Sequence, residues 1–284
     1  MTDRQLQPAI SPDVTDIDPN GDLILRVGAE RPVNVYDMIE EGDDRAHDFR
    51  VCSRAMARAS EVFQRMLNGP FIERKPDNFP EEPWIVSLPE DDLTSFETLL
   101  NIAHGRTSEE HVPTALPLWC ISVIFTLANK YLISPLLYPW LNPWNEVATA
   151  AVLIERPSPG DLFLTHGVSW HIGNIPLFIR TLNQLAFTTS VDPKTGDLID
   201  GYGNPLSNYT SLDTNHLLDA IKNGRRMFIQ NLVSHLHKWL DRFRWLAAEC
   251  PHCSKAECGQ YAQTKLLDNL ANCINRGDIP PTGK

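Results

Sequence analysis

The sequence predicts an α+β protein, in which a short mixed sheet capped by helices is followed by a mostly α-helical C-terminal domain. Three observations support this prediction. Short apolar runs typical of strands lie in the first hundred residues, where they alternate with short helical patterns. Beyond residue 146 almost every segment has helical periodicity. Hydrophobic residues make up 42% of the 284-residue chain, enough for a large packed core.

The predicted domain organisation has three parts. Residues 1–19 form a flexible tail, because this segment is acidic, contains prolines and has no apolar periodicity. Residues 20–145 form the α+β domain. Residues 146–284 form the helical domain, which is interrupted near residues 192–206 by a predicted β-hairpin with Gly, Asp and Asn at its turns.

Strands and short helices alternate in the α+β domain. The run DLILRVG predicts a strand at 22–28, and a short extra strand is predicted at Val33–Val35 within a polar, acidic segment. FRVC, at 49–52, predicts the next strand. Ser53 and Ser60 are predicted N-caps of two short helices, because a serine hydroxyl can accept the free amides of a first helical turn.

A loop rich in Pro and Asn follows, and WIVSLP at 84–89 predicts a further strand. The next helix, DDLTSFETLLNIAHG, begins with acids at its positive end, and an apolar helix is predicted at 117–132. After a proline-broken segment come three helices, the hairpin, a long amphipathic helix and a last helix that ends at Gly277.

Charge and apolar content exclude several classes of partner. The net charge of −11 argues against nucleic-acid binding, because a polyanion requires a positive surface. The most apolar run, LPLWCISVIFTLANKYLISPLL, is interrupted by Asn129 and Lys130, so no membrane span of roughly 20 residues is predicted. The N-terminus lacks the features of an export signal, and the six cysteines form no disulfide-scaffold pattern. A cytoplasmic or nuclear location is expected.

The order of these elements and several of their residues resemble the BTB/POZ domain family. That family has an apolar strand opened by Asp, then Phe-x-Ala-His-Lys-x-Val-Leu-Ala-x-x-Ser-x-x-Phe-x-x-Met/Leu. This chain has Asp22 before LILRV, and then FRVCSRAMARASEVFQRML at 49–67. The family's Asp-Asp-x-x-x-Phe-x-x-Leu-Leu resembles DDLTSFETLL at 91–100, and its Leu-Ala-Asp-Lys-Tyr resembles LANKY at 127–131.

The resemblance covers residues 20 to 145, and the whole chain resembles the fungal BTB proteins that carry an uncharacterised helical region. It implies that the apolar side chains of the first block are core residues: Phe49, Val51, Met56, Phe63, Met66 and Leu67. Two departures matter. Cys52 and Ser53 stand where the family has His and a basic residue, and no apolar helix precedes the first strand. In dimeric relatives both features support dimerisation, so a monomer or weak homodimer is expected.

The resemblance implies a non-enzymatic protein–protein interaction module, that is, a scaffold or adaptor without cofactors. The alternative is a substrate adaptor of a cullin-based ubiquitin ligase. In cullin-binding relatives a hydrophobic-x-Glu step follows the second short helix, as Phe71-Ile72-Glu73 does here. Phe71 and Glu73 are therefore the candidate partner-binding residues, although the neighbouring prolines favour a core position for Phe71. A BTB-type transcription regulator is a further alternative, but no DNA-binding motif is present in the sequence.

Chemistry at a catalytic or metal site has little support in the sequence. No phosphate-binding loop, nucleophile elbow or HExxH motif occurs. Cys250, Cys253 and Cys258 are weak zinc candidates, because one CxxC pair and a third cysteine give only part of a tetrahedral ligand set. A reversible disulfide and simple packing of the loop are the alternatives, and we expect no metal.

Overall fold

The structure is a computed structural model that describes residues 14–30, 46–206, 215–246, 261 and 264–265. It combines helices with a small mixed sheet, as an α+β class requires. The chain divides into two compact units, Met1–Lys222 and Asn223–Lys284. The extra strand predicted at Val33–Val35, the cysteines Cys250, Cys253 and Cys258, and most of the last predicted helix lie outside the described residues.

The sheet of the first unit has four short strands in the order β1-β3-β2-β4. β2 runs antiparallel to β3, whereas β1 is parallel to β3 and β4 is parallel to β2. Arg26 and Asp48 are cross-strand partners and form a bidentate ion pair with N–O distances of 2.8 Å. The strands are β1 Val14–Asp16, β2 Leu23–Val27, β3 His47–Val51 and β4 Ile85–Leu88.

The prediction of a flexible tail through residue 19 is wrong at its C-terminal end. Val14–Asp16 forms β1, which pairs with β3, and Ile17 is buried. Strand β1 has no apolar alternation, and backbone hydrogen bonds to β3 hold it in place. Arg106 also donates to the carbonyl oxygens of Asp16 and Ile17 at 3.2 Å. Because these contacts join residues that are far apart in the chain, no local sequence pattern indicates them.

Helices α1 to α4 cover the sheet. Ser60 caps α2 by accepting the amide of Phe63 at 2.9 Å, as predicted. The predicted cap at Ser53 is wrong, because Cys52 occupies the N-cap position of α1 and makes no side-chain cap bond. Asp92 caps α3. The helices are α1 Ser53–Ala59, α2 Glu61–Asn68, α3 Leu93–Ala103 and α4 Leu118–Lys130.

The remaining helices follow a 3₁₀ helix, Ser134–Trp140, that contains two of the prolines of this segment. A two-stranded hairpin lies between α7 and α8 and consists of β5 Ser190–Val191 and β6 Leu198–Ile199. Helix α8 begins in the first unit and continues into the second. The helices are α5 Leu141–Val152, α6 Pro159–Ile172, α7 Ile175–Thr188 and α8 Asn215–Leu246.

One hydrophobic core runs through the first unit, from Ile17 to Ile221. The predicted core residues of the first block are part of it, with Phe49, Met56 and Phe63 at most 2% exposed, whereas Met66 is only partly buried. Helix α4 packs against α3 and against the later helices α5 and α6. Its Phe125 ring lies edge-on to Trp144 of α5 at 5.8 Å and stacks on His171 of α6 at 5.3 Å.

In the second unit, the described part of α8 contains both exposed and partly buried apolar side chains. Leu232 is 40% exposed, and Leu236 and Leu240 are partly buried. Among the described residues, no helix is both long enough and apolar enough to span a bilayer.

Candidate interaction site

The loop that joins α2 to β4, residues 69–84, contains the predicted partner-binding residues. The Phe71 side chain is 52% exposed and that of Ile72 is 90% exposed. Glu73 is partly exposed. The expectation that Phe71 is a core residue is therefore wrong. The prolines of the loop do not direct the Phe71 side chain into the core.

A close approach at Gly69 positions the exposed phenylalanine. Helix α2 ends here, and the Gly69 amide donates to the carbonyl oxygen of Arg65 at 2.8 Å. A Cβ atom at residue 69 would lie 2.4 Å from that same oxygen and 3.0 Å from two carbons of the Phe71 ring. Only glycine leaves room for this turn, so the sequence Asn68-Gly69-Pro70 fixes where the loop leaves the helix.

Trp84 fixes the loop backbone at Glu73. Its indole N–H donates to the Glu73 carbonyl oxygen at 2.7 Å, and the Trp84 side chain is 5% exposed at the start of β4. The Glu73 carboxylate makes no hydrogen bond with any of the described residues. The Glu73 backbone is thus tied to the core, while its carboxylate is available to accept hydrogen bonds.

Lys75 holds the middle of the loop against the domain. Its ammonium group lies 3.8 Å from the centre of the Phe79 ring and 3.4 Å from an Asp22 carboxylate oxygen. Asp22 also accepts the amide and the hydroxyl of Ser53, at 2.9 and 3.0 Å. Partial burial raises the pKa of Asp22, but the bonds from Ser53 and Lys75 together outweigh it, and the pKa lies below its ordinary value. Ser53 carries no charge, but Lys75 supplies a positive charge beside Asp22.

The loop surface is negative around its apolar tip. Residues 70–83 contain four acids and two bases. Lys75 is engaged by Asp22, and Arg74 pairs with Asp77 at 3.3 Å. Among the described residues, the other three acids of the loop have no ion-pair partner: Glu73, Glu81 and Glu82. A partner with an apolar pocket bordered by basic side chains would complement this surface.

The described residues offer no arrangement suited to a metal ion, since no three His, Cys, Asp or Glu side chains come together within this part of the chain. Its most buried histidine, His166, lies under Phe178 with ring centres 4.0 Å apart, and its Nδ1 is 3.1 Å from the Thr181 hydroxyl. Burial lowers the pKa of His166 to about 4. His166 of α6 is thus packed against α7.

Sequence reasoning missed a buried polar cluster that joins α4 to the start of α3. Asp91 is 3% exposed and accepts hydrogen bonds from the Lys130 ammonium at 2.6 Å and from the Tyr131 hydroxyl. Ser60, besides capping α2, donates its hydroxyl to the Tyr131 carbonyl oxygen at 2.6 Å. The two aspartates at 91 and 92 therefore differ in role, because Asp91 binds α4 and Asp92 caps α3. Nothing in their spacing distinguishes them.

A comparison of the chain with protein-family models finds no match. A comparison with curated proteins finds no significant match either. The function must therefore be argued from the residues themselves.

Proposed function

We propose that residues 20–145 form a BTB/POZ domain and that the chain is a non-enzymatic adaptor that binds other proteins. Two features support the fold assignment. The element order β2, β3, α1, α2, β4, α3, α4 is the order that the family has. Most of the family's apolar positions in the first block are also buried here, with Phe49, Met56 and Phe63 at most 2% exposed, whereas Met66 is only partly buried.

The observation that carries the adaptor function is the exposed tip of the loop. Two large apolar side chains, Phe71 and Ile72, are exposed to solvent. Contacts of Trp84 and Lys75 hold the backbone of their loop in place. An exposed apolar group costs free energy unless a partner covers it, and a fixed loop loses little entropy on binding. This combination is typical of a binding epitope.

The test is affinity capture of the tagged full-length protein from its own cells, with quantitative mass spectrometry of wild type and the double variant Phe71→Ala/Ile72→Ala. We expect a defined set of proteins to be lost from the variant while its melting temperature is unchanged. Arg58→Ala, an exposed change on α1, is the matched control and should retain the set. Equal capture by wild type and variant would show that the loop is not the epitope.

A cullin partner is the second candidate function. The exposure of Phe71 favours it, because the hydrophobic-x-Glu step of cullin-binding relatives needs an accessible apolar side chain and a free carboxylate. On this proposal, the domain recruits the ligase and the helical region presents the substrate.

Titration calorimetry with a purified cullin N-terminal domain tests this directly. Phe71→Ala should weaken binding at least about fivefold and change stability by no more than about 0.5 kcal/mol. Glu82→Ala, a loop acid outside the step, should bind like wild type. If the wild-type protein shows no heat of binding at about 100 µM, the cullin assignment is wrong. The wider adaptor function is tested separately, by the capture experiment.

We also propose that the protein is a monomer or a weak homodimer. In dimeric relatives, the Asp of the first strand and the basic residue at the position of Ser53 form part of a dimer pocket. Here Asp22 instead bonds to Ser53 and Lys75 of its own chain. Light scattering at micromolar concentration should give a mass near 32.1 kDa. A dimer mass that does not change on dilution would contradict this.

A further inference from the structure

The loop between α5 and α6 contains an exposed serine that is followed by proline. Residues 153–158 join the two helices. Leu153 and Ile154 are 59% and 55% exposed, and Ser158 is exposed as well. The Ser158 backbone has φ −65° and ψ 151°, which is an extended, polyproline-like conformation. The Ser158 side chain therefore lies at the surface, at the end of an extended and largely exposed segment.

This sequence and this conformation fit the substrate cleft of a protein kinase. Proline-directed Ser/Thr kinases bind their substrates as extended segments and phosphorylate a serine that is followed by proline, as Ser158 is followed by Pro159. Proline has no backbone N–H, so no donor at this position is left without an acceptor in the cleft. Residues 153–156 are all exposed, so a kinase can enclose the segment that leads to the serine.

A second Ser-Pro pair in the described part of the chain lacks these properties. Ser134 precedes Pro135 and is itself exposed, but it lies within the 3₁₀ helix and not in an extended segment. The chain before it is packed in the core, with Tyr131 3% exposed and Ile133 0% exposed. A kinase would have to unfold this part of the protein to enclose Ser134. The two pairs share a motif but differ in accessibility.

Ser158 also has a structural role that a phosphate would change. It caps α6, because its hydroxyl accepts the Asp161 amide at 3.0 Å and donates to an Asp161 carboxylate oxygen at 2.8 Å. Phosphorylation removes the donated hydrogen and places about two negative charges beside that carboxylate. The free amides of the first helical turn attract the phosphate, whereas the Asp161 carboxylate repels it.

We propose that Ser158 is a phosphorylation site of a proline-directed Ser/Thr kinase, and that the Asp161 carboxylate opposes the phosphate at the start of α6. In the reaction, the Ser158 oxygen bonds to the γ-phosphorus of Mg²⁺-bound ATP, the bond from that phosphorus to the bridging oxygen breaks, and ADP leaves. The hydroxyl proton passes to a carboxylate base of the kinase. This site is separate from the Phe71–Glu73 loop and does not depend on the function proposed for that loop.

The experiment incubates the full-length protein with Mg²⁺, ATP and a purified mitogen-activated protein kinase, and locates the phosphate by mass spectrometry of peptides. A third pair, Ser11-Pro12, lies outside the described residues, so every protein in the test carries Ser11→Ala, and the one with no other change is the parent. We expect phosphate at Ser158 of the parent at least about tenfold faster than at Ser134, because enclosing Ser134 requires local unfolding.

Two further variants test the motif. Ser158→Ala should remove this phosphate, and Pro159→Ala should slow its incorporation several-fold while thermal melting shows that the protein remains folded. Ser134→Ala is the matched control and should be phosphorylated like the parent. Phosphate that is missing from Ser158, that appears as fast at Ser134, or that does not depend on Pro159 would each overturn the assignment of the site.

Thermal melting tests the role of Asp161, with the phosphorylated and unphosphorylated forms of each protein compared. Asp161→Asn keeps an oxygen that can accept a hydrogen bond but carries no charge. The change in melting temperature on phosphorylation should be more negative in the parent than in Asp161→Asn, by about 2 °C. Glu155→Gln removes another acid of the same loop and should behave like the parent. Equal changes in the parent and in Asp161→Asn would show that Asp161 does not oppose the phosphate.

Discussion

We call residues 14–145 the sheet half and residues 146–222 the helix half. The two halves share one hydrophobic core, but different kinds of polar contact stabilise them. The sheet half is crosslinked by charged groups: Arg26 pairs with Asp48, and Asp91 binds Lys130 and Tyr131. Between the helices of the helix half, the buried hydrogen bonds join neutral groups, such as the Thr165 hydroxyl and the Ala148 carbonyl, or His166 and Thr181. The two halves should therefore respond differently to truncation, acid and substitution.

Truncation after Asn145 should have the largest effect. This cut divides α5 and removes α6, so that Trp144, Phe125 and their neighbours lose the surfaces that bury them. Each large apolar side chain left in water costs about 1.5–3 kcal/mol, and a domain has only about 5–15 kcal/mol in total. A fragment of residues 1–145 should show no cooperative thermal transition by circular dichroism.

The control is a fragment of residues 1–222, which keeps the complete first unit and should melt cooperatively. Cooperative unfolding of the shorter fragment would instead show that the α+β domain predicted at 20–145 folds on its own. The helix half would then be an addition to a finished domain.

Acid should weaken the helix half before the carboxylates of the sheet half are protonated. Burial lowers the pKa of His166 to about 4, whereas in the unfolded chain it is close to 6.5. Below about pH 6.5, His166 binds a proton in the unfolded chain but not in the native chain. The free energy of unfolding is therefore at its full value above that pH and decreases as the pH falls toward 4. His166 alone should account for a loss of about 3 kcal/mol over this range.

Urea unfolding at about pH 7 and at about pH 4.5 measures this loss. Burial also lowers the pKa of His104 and His171, so both add to the total. The variant His166→Asn removes one titrating group and should reduce the pH dependence, whatever its stability at neutral pH. An unchanged pH dependence in this variant would mean that His166 is not the group responsible.

Asp91→Ala should have an intermediate effect on the sheet half. The substitution leaves the buried Tyr131 hydroxyl without its acceptor and frees Lys130, whose side chain is 47% exposed and regains water. An unsatisfied buried hydroxyl costs about 1–3 kcal/mol, so we expect a loss of about 2 kcal/mol by denaturant unfolding. Glu90→Ala, one residue away and exposed, should stay within about 0.5 kcal/mol of wild type. Equal effects would contradict the role of Asp91.

The sequence predicted the elements of both halves better than the contacts between them. Apolar spacing is local and strong, so Phe49, Met56 and Phe63 were correctly placed in the core. The cap at Ser60 was correct because capping depends on residues only three apart. Strand β1 was missed because its pairing with β3 joins residues more than thirty apart.

The exposed sites show the same limit of sequence information. Phe71 looks like a core residue in sequence because it is large, apolar and preceded by Pro70 in a proline-rich loop, yet its ring is half exposed and lies close to Gly69. On α7, Leu177 and Ile179 are equally apolar, and only packing against α6 decides that the first is buried and the second exposed. Side-chain chemistry predicts which residues can be buried, and tertiary packing selects among them.

Lys75→Ala should give the smallest change in stability. It tests whether the loop can become more mobile while the sheet half keeps its free energy of unfolding. The side chains of Lys75 and Asp22 are 44% and 32% exposed, so water screens their attraction and the loss should be no more than about 0.5 kcal/mol. The loop should nevertheless lose its contact between Lys75 and Phe79, and amide hydrogen exchange at residues 71–79 should become faster. Arg74→Ala breaks a more exposed ion pair within the loop and serves as the control, with exchange near wild type. Exchange that is unchanged in Lys75→Ala would mean that Trp84 alone holds the loop, and binding at Phe71 should then be independent of Lys75.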